Sequence, residues 1–245
     1  LWGGGLDYFD CAAGQFKHYP GDHNATSGLR NDTISAIYED DDGLIWIGSF
    51  DGLYRLDPAS GQFTLFKHDP TEKNTLINDS VYRIAPAGDG RIWLGTLGGL
   101  DLFDPRTARF IHFRHDPNDP DSIPDDGITD LYMAPDGVLW LGTWYGGLAS
   151  LDPAAWRQGK VRFITYRHDP DNPNSLSDNS VWAIHQDRTG ALWVGTQVGL
   201  NRFDPDSGAF THYRERDGLP NNTVLCIEED SRGYLWIATN NGLAH

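Results

Sequence analysis

The chain has 245 residues, with 35 acidic against 19 basic side chains and a formal net charge of −16. This acidic balance argues against nucleic acid or an anionic membrane as a partner, because both are bound through basic patches. The many glycines (28), prolines (14) and tryptophans (9) and the single methionine favour short aromatic strands joined by tight turns, without helices.

The predicted strands begin with two at the N-terminus, Leu6–Phe9 and Gln15–Tyr19. The chain then repeats one unit at intervals of 43–53 residues, a spacing typical of repeat proteins. Each unit contains an apolar residue, Trp, an apolar residue, Gly or Ala, and Ser or Thr. The five copies are Ile45–Ser49, Ile92–Thr96, Leu139–Thr143, Leu192–Thr196 and Leu235–Thr239.

The second repeat shows the predicted unit, a four-stranded antiparallel meander. Its strands are Val81–Ala85, Ile92–Thr96, Leu100–Phe103 and Arg109–Phe113. Glycine turns separate the strands, and a proline that cannot donate to a ladder ends the third. At the C-terminus the chain offers only the first two strands of a unit, Thr223–Ile227 and Leu235–Thr239.

Each predicted meander has apolar residues on both faces, so each must be packed between two others. Blades arranged around an axis meet this need, and we expect an all-β chain with the β-propeller fold. We expect one domain over 1–245, with five blades at about 33–66, 80–113, 127–166, 180–213, and 223–240 completed by 6–19. Pairing of the two terminal segments within one blade would leave no open edge. The alternative is part of a seven-bladed ring.

The repeated units, such as Asn179–Ile184 followed by Asp187–Thr196 and Gly199–Asp204, resemble the two-component regulator propeller repeat. The loops His168–Leu176 and Gly218–Asn222 resemble the two usual inter-blade loops of that family. The resemblance implies the periplasmic or extracellular sensory part of a membrane-anchored signalling protein. Such proteins are typically hybrid histidine kinases or diguanylate cyclases, and they often sense a glycan fragment. We find no signal peptide or membrane-spanning run, and the abrupt start at Leu1 is typical of an excised piece of a longer protein.

Ligands of propellers usually bind at the end where the loops between second and third strands emerge. Those loops vary from repeat to repeat, and the first strands add a second variable column. Exposed aromatic side chains can stack on sugar faces, so Trp2 and Trp144 with Tyr145 are the best candidates. The full set of candidate ligand-binding residues is Trp2, Phe50, Tyr82, Arg83, Trp144, Tyr145, Trp182, Gln197 and Asn240.

Other repeated polar residues have structural explanations. Asx pairs precede each first strand, and we expect them to set the turn into the strand rather than to bind a cation. His68, His115 and His168 stand at equivalent positions too far apart to share a metal, and we expect loop anchors. Arg83 and Asp130 are charged where other repeats are small, which predicts pairing across adjacent blades or contact with the central channel.

Catalysis has weak support in the sequence. His18, His212, Tyr82 and Arg83 are the groups that a lyase of similar construction could recruit, but no nucleophile motif, carboxylate pair or metal-ligand cluster stands out. We expect no catalytic residue, no metal and no cofactor. A disulfide between Cys11 and Cys226 is disfavoured, and Cys226 is expected to be a buried small side chain within a strand.

Three hypotheses follow. The first is a non-catalytic sensor domain that binds an oligosaccharide or a small polar ligand. The second is a structural or protein-interaction module without its own ligand, and the third is a polysaccharide lyase. As partners we expect a glycan or other small molecule, no nucleic acid, no direct membrane contact by this segment, and homodimer formation through the parent signalling protein.

Overall fold

The computed structural model describes residues 4–21, 28–31, 33–152, 155–156 and 158–245, and in these residues it consists mainly of short β-strands. Residues 1–112 and 113–245 form two compact units. In every sheet, strands that follow one another in sequence lie side by side, and the paired strands run antiparallel.

The first unit contains sheets N, I and II, apart from Phe113, the last residue of sheet II. Sheet N has two strands and the others have four. The strands are β1 (Leu6–Asp10) and β2 (Gln15–Tyr19) in sheet N; β3 (Ile34–Glu39), β4 (Ile45–Ser49), β5 (Gly52–Asp57) and β6 (Gln62–Phe66) in sheet I; β7 (Val81–Pro86), β8 (Ile92–Thr96), β9 (Gly99–Asp104) and β10 (Arg109–Phe113) in sheet II.

The second unit contains sheets III, IV and V. Sheets III and IV have four strands and sheet V has three. The strands are β11 (Ile128–Met133), β12 (Leu139–Thr143), β13 (Leu148–Leu151) and β14 (Phe163–Tyr166) in sheet III; β15 (Val181–Gln186), β16 (Leu192–Thr196), β17 (Gly199–Asp204) and β18 (Ala209–Tyr213) in sheet IV; β19 (Val224–Glu229), β20 (Leu235–Thr239) and β21 (Gly242–Ala244) in sheet V.

Aromatic side chains fill the space between successive sheets of a unit. Trp46 of sheet I packs edge-on against Phe103 of sheet II, with ring centroids 5.6 Å apart. Trp140 of sheet III meets Phe203 of sheet IV in the same way at 5.5 Å. The facing sides of these neighbouring sheets are therefore apolar and covered, as the sequence pattern predicts.

The glycine of the tryptophan motif allows the next sheet to come close. A Cβ atom added to Gly195 would lie 2.6 Å from Cγ1 of Val224, which is fully buried in the first strand of sheet V. Gly142 meets Val181 in the same manner. A side chain at this position would collide with the neighbouring sheet, which explains why the motif uses glycine there.

The turn between the first and second strands holds the motif tryptophan through an aspartate. In sheet IV, Asp187 Oδ1 accepts the backbone N–H groups of Thr189 and Ala191, and Asp187 Oδ2 accepts the indole N–H of Trp193 at 2.7 Å. Asp40 binds Trp46 in the same way in sheet I. One carboxylate thus fixes both the turn and the following tryptophan.

The first strand of sheets I to V carries a β-bulge. In sheet IV, Val181 pairs with Thr196 and Ala183 with Gly195, so Trp182 is left out of the ladder. The residues at the same position in the other sheets are Ser35, Tyr82, Thr129 and Leu225. Bulges re-aim a side chain and often occur beside functional sites. The variable column noted in the sequence is therefore the bulge column.

The structure corrects the predicted pairing of strand Leu6–Phe9 with strand Leu235–Thr239. The second edge of β20 is occupied by β21, because Gly242–Ala244 repeats the start of a third strand, and β1 pairs with β2 in sheet N. The number of blades in a closed ring, and a single domain over 1–245, stay predictions.

Two smaller expectations are also corrected. A 3-10 helix spans Glu215–Asp217, and Ala155 and Trp156 lie in a helical turn, so the chain is not free of helical residues. Cys226 is exposed rather than buried, because in the described residues of its unit no further sheet covers that face of sheet V. Its counterpart Ala183 is buried against sheet V. Cys11 is also an exposed free thiol.

Candidate functional site

Three predicted ligand-binding residues come together in the second unit and form an aromatic cluster. Trp144 and Tyr145 lie in the loop between β12 and β13, and Trp182 stands on the bulge of β15 in the next sheet. The Trp144 and Trp182 ring centroids are 4.7 Å apart at an angle of 76°, and the Tyr145 ring lies 6.1 Å from Trp144. Tyr145 is 71% exposed, whereas the two tryptophans are half-buried. We call these three residues the Trp144 cluster.

The loop that carries Trp144 is held by hydrogen bonds at both ends. The Trp144 N–H donates to the Gly127 carbonyl at 3.0 Å, and the Thr143 hydroxyl donates to the Gly147 carbonyl at 2.8 Å. Gly127 leaves room for the indole, since a Cβ atom there would lie 2.7 Å from Trp144 Cδ1. The ring of Trp144 is thus positioned by the fold before any ligand arrives.

A smaller aromatic pair repeats this arrangement in the first unit. Phe50 follows β4, and its ring lies 5.2 Å from that of Tyr82 on the bulge of β7. Burial raises the pKa of the Tyr82 hydroxyl. Arg83 Nη1 donates to the Tyr82 carbonyl at 3.0 Å. The sequence-predicted residues of this unit are therefore neighbours, in the same repeat relationship as Trp144 and Trp182.

Charged groups beside Phe50 pair with one another. Lys67 Nζ donates to Asp51 Oδ1 at 2.5 Å and lies 3.5 Å from Asp79 Oδ2. The hydrogen bond with Asp51 is the main cause that raises the pKa of Lys67. Tyr54 donates its hydroxyl to Asp51 Oδ2, and burial is the main cause that raises its pKa to about 12. The phenol and the ammonium group therefore both stay protonated at neutral pH.

The remaining candidates lie at equivalent loop positions outside the two aromatic groups. Gln197 and Asn240 follow the second strands of sheets IV and V, and both side chains are exposed. The Asn240 N–H donates to the Thr223 carbonyl at 3.2 Å, and the Thr223 hydroxyl donates to the Gln197 carbonyl at 3.3 Å. Trp2 lies outside the described residues.

The Asx pairs set the turns into the first strands, as predicted. Asn78 Oδ1 accepts the N–H of Ser80 at 2.8 Å, and the second member of the pair, Asp79, accepts the N–H of His68 at 2.7 Å. The His68 ring in turn donates from Nδ1 to the Leu76 carbonyl at 2.6 Å. The equivalent residues His115 and His168 make the same two contacts. The three histidines are confirmed as loop anchors.

Asp130 reaches the adjacent sheet of its unit, while the predicted pairing of Arg83 and Asp130 across adjacent blades, or their contact with the central channel, stays a prediction. Its Oδ2 atom accepts the backbone N–H of Ile184 in sheet IV at 2.8 Å. This partner is a backbone N–H group. Sequence alone indicated the unusual charge at this position, but only the folded chain shows which group it binds.

One buried polar pair is absent from the sequence-based candidates. Asp101 is fully buried in β9, and its carboxylate accepts the N–H of Ile77 at 2.8 Å and contacts Nδ1 of His112 at 2.5 Å. Sheet N has Asp7 and His18 at the same positions, and they are in contact. This recurrence, an Asp in the third strand and a His in the fourth, is the signal in the sequence that could have revealed the pair.

The groups considered for lyase chemistry lie on different kinds of strand. His18 and His212 are on fourth strands of the repeat, whereas Tyr82 and Arg83 are on a first strand. Burial is the main cause that lowers the pKa of His212, and its Nε2 atom is 2.7 Å from the Ser175 carbonyl. Within the described ranges, no group of three or more His, Cys, Asp or Glu side chains is arranged to hold a metal ion.

Membrane insertion through a helix finds no support in the described part of the chain. No helix there has the length and apolar character needed to cross a bilayer.

Five segments of the chain match the two component regulator propeller family. Each segment runs from the loop before a first strand to the loop after the second strand, where Phe50, Trp144 and Gln197 lie. The matched residues are 28–51, 75–98, 122–145, 175–197 and 218–241. The chain belongs to this family. No curated protein sequence matches it significantly.

Solved structures support the fold. The extracellular domain of a hybrid two component system from B. thetaiotaomicron is 24% identical, with a TM-score of 0.76 over 88% of this chain and 28% of that one. PorZ, a surface component of the type-IX secretion system of Porphyromonas gingivalis, is 21% identical, with a TM-score of 0.75 over 99% of this chain and 36% of that one.

A virginiamycin B lyase from Staphylococcus aureus is 15% identical, with a TM-score of 0.65 over 99% of this chain and 76% of that one. The chain thus spans about a third of the first two proteins and about three quarters of the lyase. At these identities the likeness concerns the fold. The predicted β-propeller of four-stranded antiparallel blades is confirmed.

Proposed function

We propose that this propeller is a non-catalytic sensor domain of a bacterial signalling protein, located in the periplasm or outside the cell. It binds an oligosaccharide or another small polar ligand at the Trp144 cluster. The proposal follows from family membership together with the exposed Tyr145, which lies beside Trp144 in the loop after a second strand.

The observation that carries the proposal is the placement of Tyr145. Its ring is 71% exposed beside two half-buried indoles, in a loop fixed by the hydrogen bonds of Trp144 and Thr143. Large aromatic side chains in a prepared position are the usual lining of a ligand site, and their flat faces suit the apolar faces of sugar rings. The net charge of −16 favours a neutral ligand over a polyanionic one.

Isothermal titration calorimetry against neutral and anionic oligosaccharides tests the proposal. The informative variant is Tyr145→Ala, and Tyr234→Ala is its matched control. Tyr234 is another exposed tyrosine, but it lies in the turn between β19 and β20, at the opposite end of its strand from the loop after β20.

We expect Tyr145→Ala to weaken binding of a neutral oligosaccharide roughly fivefold, since an aromatic contact is worth about 1 kcal/mol and tenfold corresponds to about 1.4 kcal/mol. Tyr234→Ala should bind like the natural protein. Equal binding by both variants, or a preference for anionic chains, would contradict the proposed site.

The second candidate is a protein-interaction module, favoured by exposed apolar residues in the first unit. Phe16 is 73% exposed, and its ring centroid lies 4.6 Å from that of Phe9, which is also exposed. The equivalent residues of sheet IV, Phe203 and Phe210, are buried. Under this alternative, Phe16→Asp would abolish association of the domain with itself or with a partner protein, measured by analytical ultracentrifugation. Tyr145→Ala would leave signalling intact.

A further inference from the structure

The strand that carries Trp182 has a free edge. β15 is the first strand of sheet IV, so β16 pairs with one side of it and no strand of the sheet pairs with the other. A free edge leaves backbone N–H and C=O groups without ladder partners. The bulge at Trp182 loosens the ladder further, because the bulged residue is unpaired.

Two consecutive side chains of β11 bind this free edge on either side of Trp182. The Thr129 hydroxyl donates to the carbonyl of Val181 at 2.5 Å. Asp130 Oδ2 accepts the N–H of Ile184 at 2.8 Å. One contact thus lies directly before the bulged residue and the other lies two residues after it.

The other two junctions between first strands that the structure describes within a unit lack this combination. At the junction of sheets I and II, Ser35 donates to the Val81 carbonyl, but Ala36 stands where sheet III has Asp130. At the junction of sheets IV and V, the two positions are occupied by Trp182 itself and Ala183, which have no acceptor to offer. Both contacts therefore coincide with the one bulge that carries a tryptophan.

We propose that Thr129 and Asp130 are positioning residues that fix the bulge of β15 and thereby hold the Trp182 ring perpendicular to Trp144. A hydrogen bond to a carboxylate is stronger than one to a neutral acceptor, so Asp130 provides most of the restraint. The inference rests on the proposed function only for the use of the Trp144 cluster as a ligand site, since the restraint itself exists without ligand.

The test uses the coupling between the two indoles in the ligand-free protein. Two indole rings 4.7 Å apart produce an exciton couplet in far-ultraviolet circular dichroism. The part of the couplet that arises from Trp144 and Trp182 is the part of the signal that disappears in Trp182→Phe. The test variants are Asp130→Ala, Asp130→Asn and Thr129→Val.

Asp136→Ala is the control, because Asp136 follows β11 at its opposite end and accepts the N–H of Val138. We expect Asp130→Ala to lose the couplet and Thr129→Val to reduce it. Asp130→Asn should retain it, because an amide oxygen still accepts from Ile184. Asp136→Ala should match the natural protein.

Two results would overturn the inference. The first is an unchanged couplet in Asp130→Ala with a lowered melting temperature, which would mean that the contact serves stability alone. The second is an equal loss in Asp130→Asn and Asp130→Ala. If Asp130→Ala does not fold, an unchanged couplet in Thr129→Val overturns it. Since no ligand is present, these outcomes are independent of a failed oligosaccharide titration.

Discussion

The close approach of sheets IV and V predicts the effect of adding one methyl group at Gly195. In Gly195→Ala the new Cβ would lie 2.6 Å from Cγ1 and 3.0 Å from Cβ of Val224, and 3.2 Å from the Val224 carbonyl oxygen. Rotating the Val224 side chain moves Cγ1 but leaves Cβ and the backbone in place. The clash therefore has to be relieved by separating the two sheets.

The structure ranks the cost among equivalent positions. Overpacking a core costs about 1–3 kcal/mol. Replacing glycine by alanine also restricts the unfolded chain, which stabilises the fold by about 0.4–1 kcal/mol. We expect a net loss of about 1–2 kcal/mol for Gly195→Ala. Gly48→Ala should lose less, because its closest contacts, with Val81, are 3.0–3.1 Å.

Urea unfolding followed by tryptophan fluorescence measures these values, and a double-mutant cycle with Val224→Ala isolates the contact. We expect Gly195→Ala to cost less in the Val224→Ala background, with a coupling above about 0.5 kcal/mol. Ala238 occupies the motif position in sheet V, and Ala238→Gly serves as a control with no neighbouring sheet in the described residues of its unit. An additive cycle, or a larger loss in Gly48→Ala, would refute the steric explanation.

Three further predictions concern charged groups. Burial alone would raise the pKa of Asp187, but the hydrogen bonds to its carboxylate outweigh burial and lower the pKa. The carboxylate therefore stabilises the fold above about pH 4, and this stabilisation is lost as the pH falls through the lowered pKa. Asp187→Asn should make the free energy of unfolding, measured in urea titrations, less dependent on acid. Burial lowers the pKa of His212 below 6.5, so the unfolded chain takes up the proton first and stability falls as the pH drops below about 6.5. His212→Gln should flatten the plot of unfolding free energy against pH between pH 7 and 5, and an unchanged slope of that plot would contradict this. Arg188 binds the Glu229 carboxylate and the Asp230 and Ser231 carbonyls, so Arg188→Ala should lower the free energy of unfolding by about 1–2 kcal/mol. The control Arg216→Ala removes a single exposed ion pair and should change it by no more than about 0.5 kcal/mol. Equal losses in the two variants would show that the contacts of Arg188 do not stabilise the fold.

Much of the fold could be predicted from the sequence because the tryptophan motif occurs five times along the chain. Alternation of apolar residues and glycine turns placed the strands of sheets I to IV, and apolar residues on both faces indicated stacked sheets. The bulge was not accessible, since the extra residue at Trp182 breaks no pattern in a short strand. The helical turn at Trp156 was missed because it lies in an insertion that has no counterpart in the other repeats.

The candidate site divides in the same way. Variation at Trp144 and Tyr145 against a constant frame indicated their loop, and the odd charge at Asp130 was visible. The residues that these side chains contact depend on which strand edge faces which loop. The packing of one sheet against the next decides this. The exposure of Cys226 shows the same limit, because the sequence of its strand predicts burial, whereas no further sheet covers that face in the described residues of its unit.

The sequence by itself determined the repeat, the four-strand unit and the chemistry of each turn, because these depend on residues close to one another along the chain. Only the tertiary structure decided that Trp182 packs edge-on against Trp144 and that Asp130 binds the free edge of β15, the strand that carries Trp182. It also decided that β21 rather than β1 pairs with the second edge of β20. The first two of these join residues from different repeats. Their distances are set by packing between sheets, about which a local pattern carries no information.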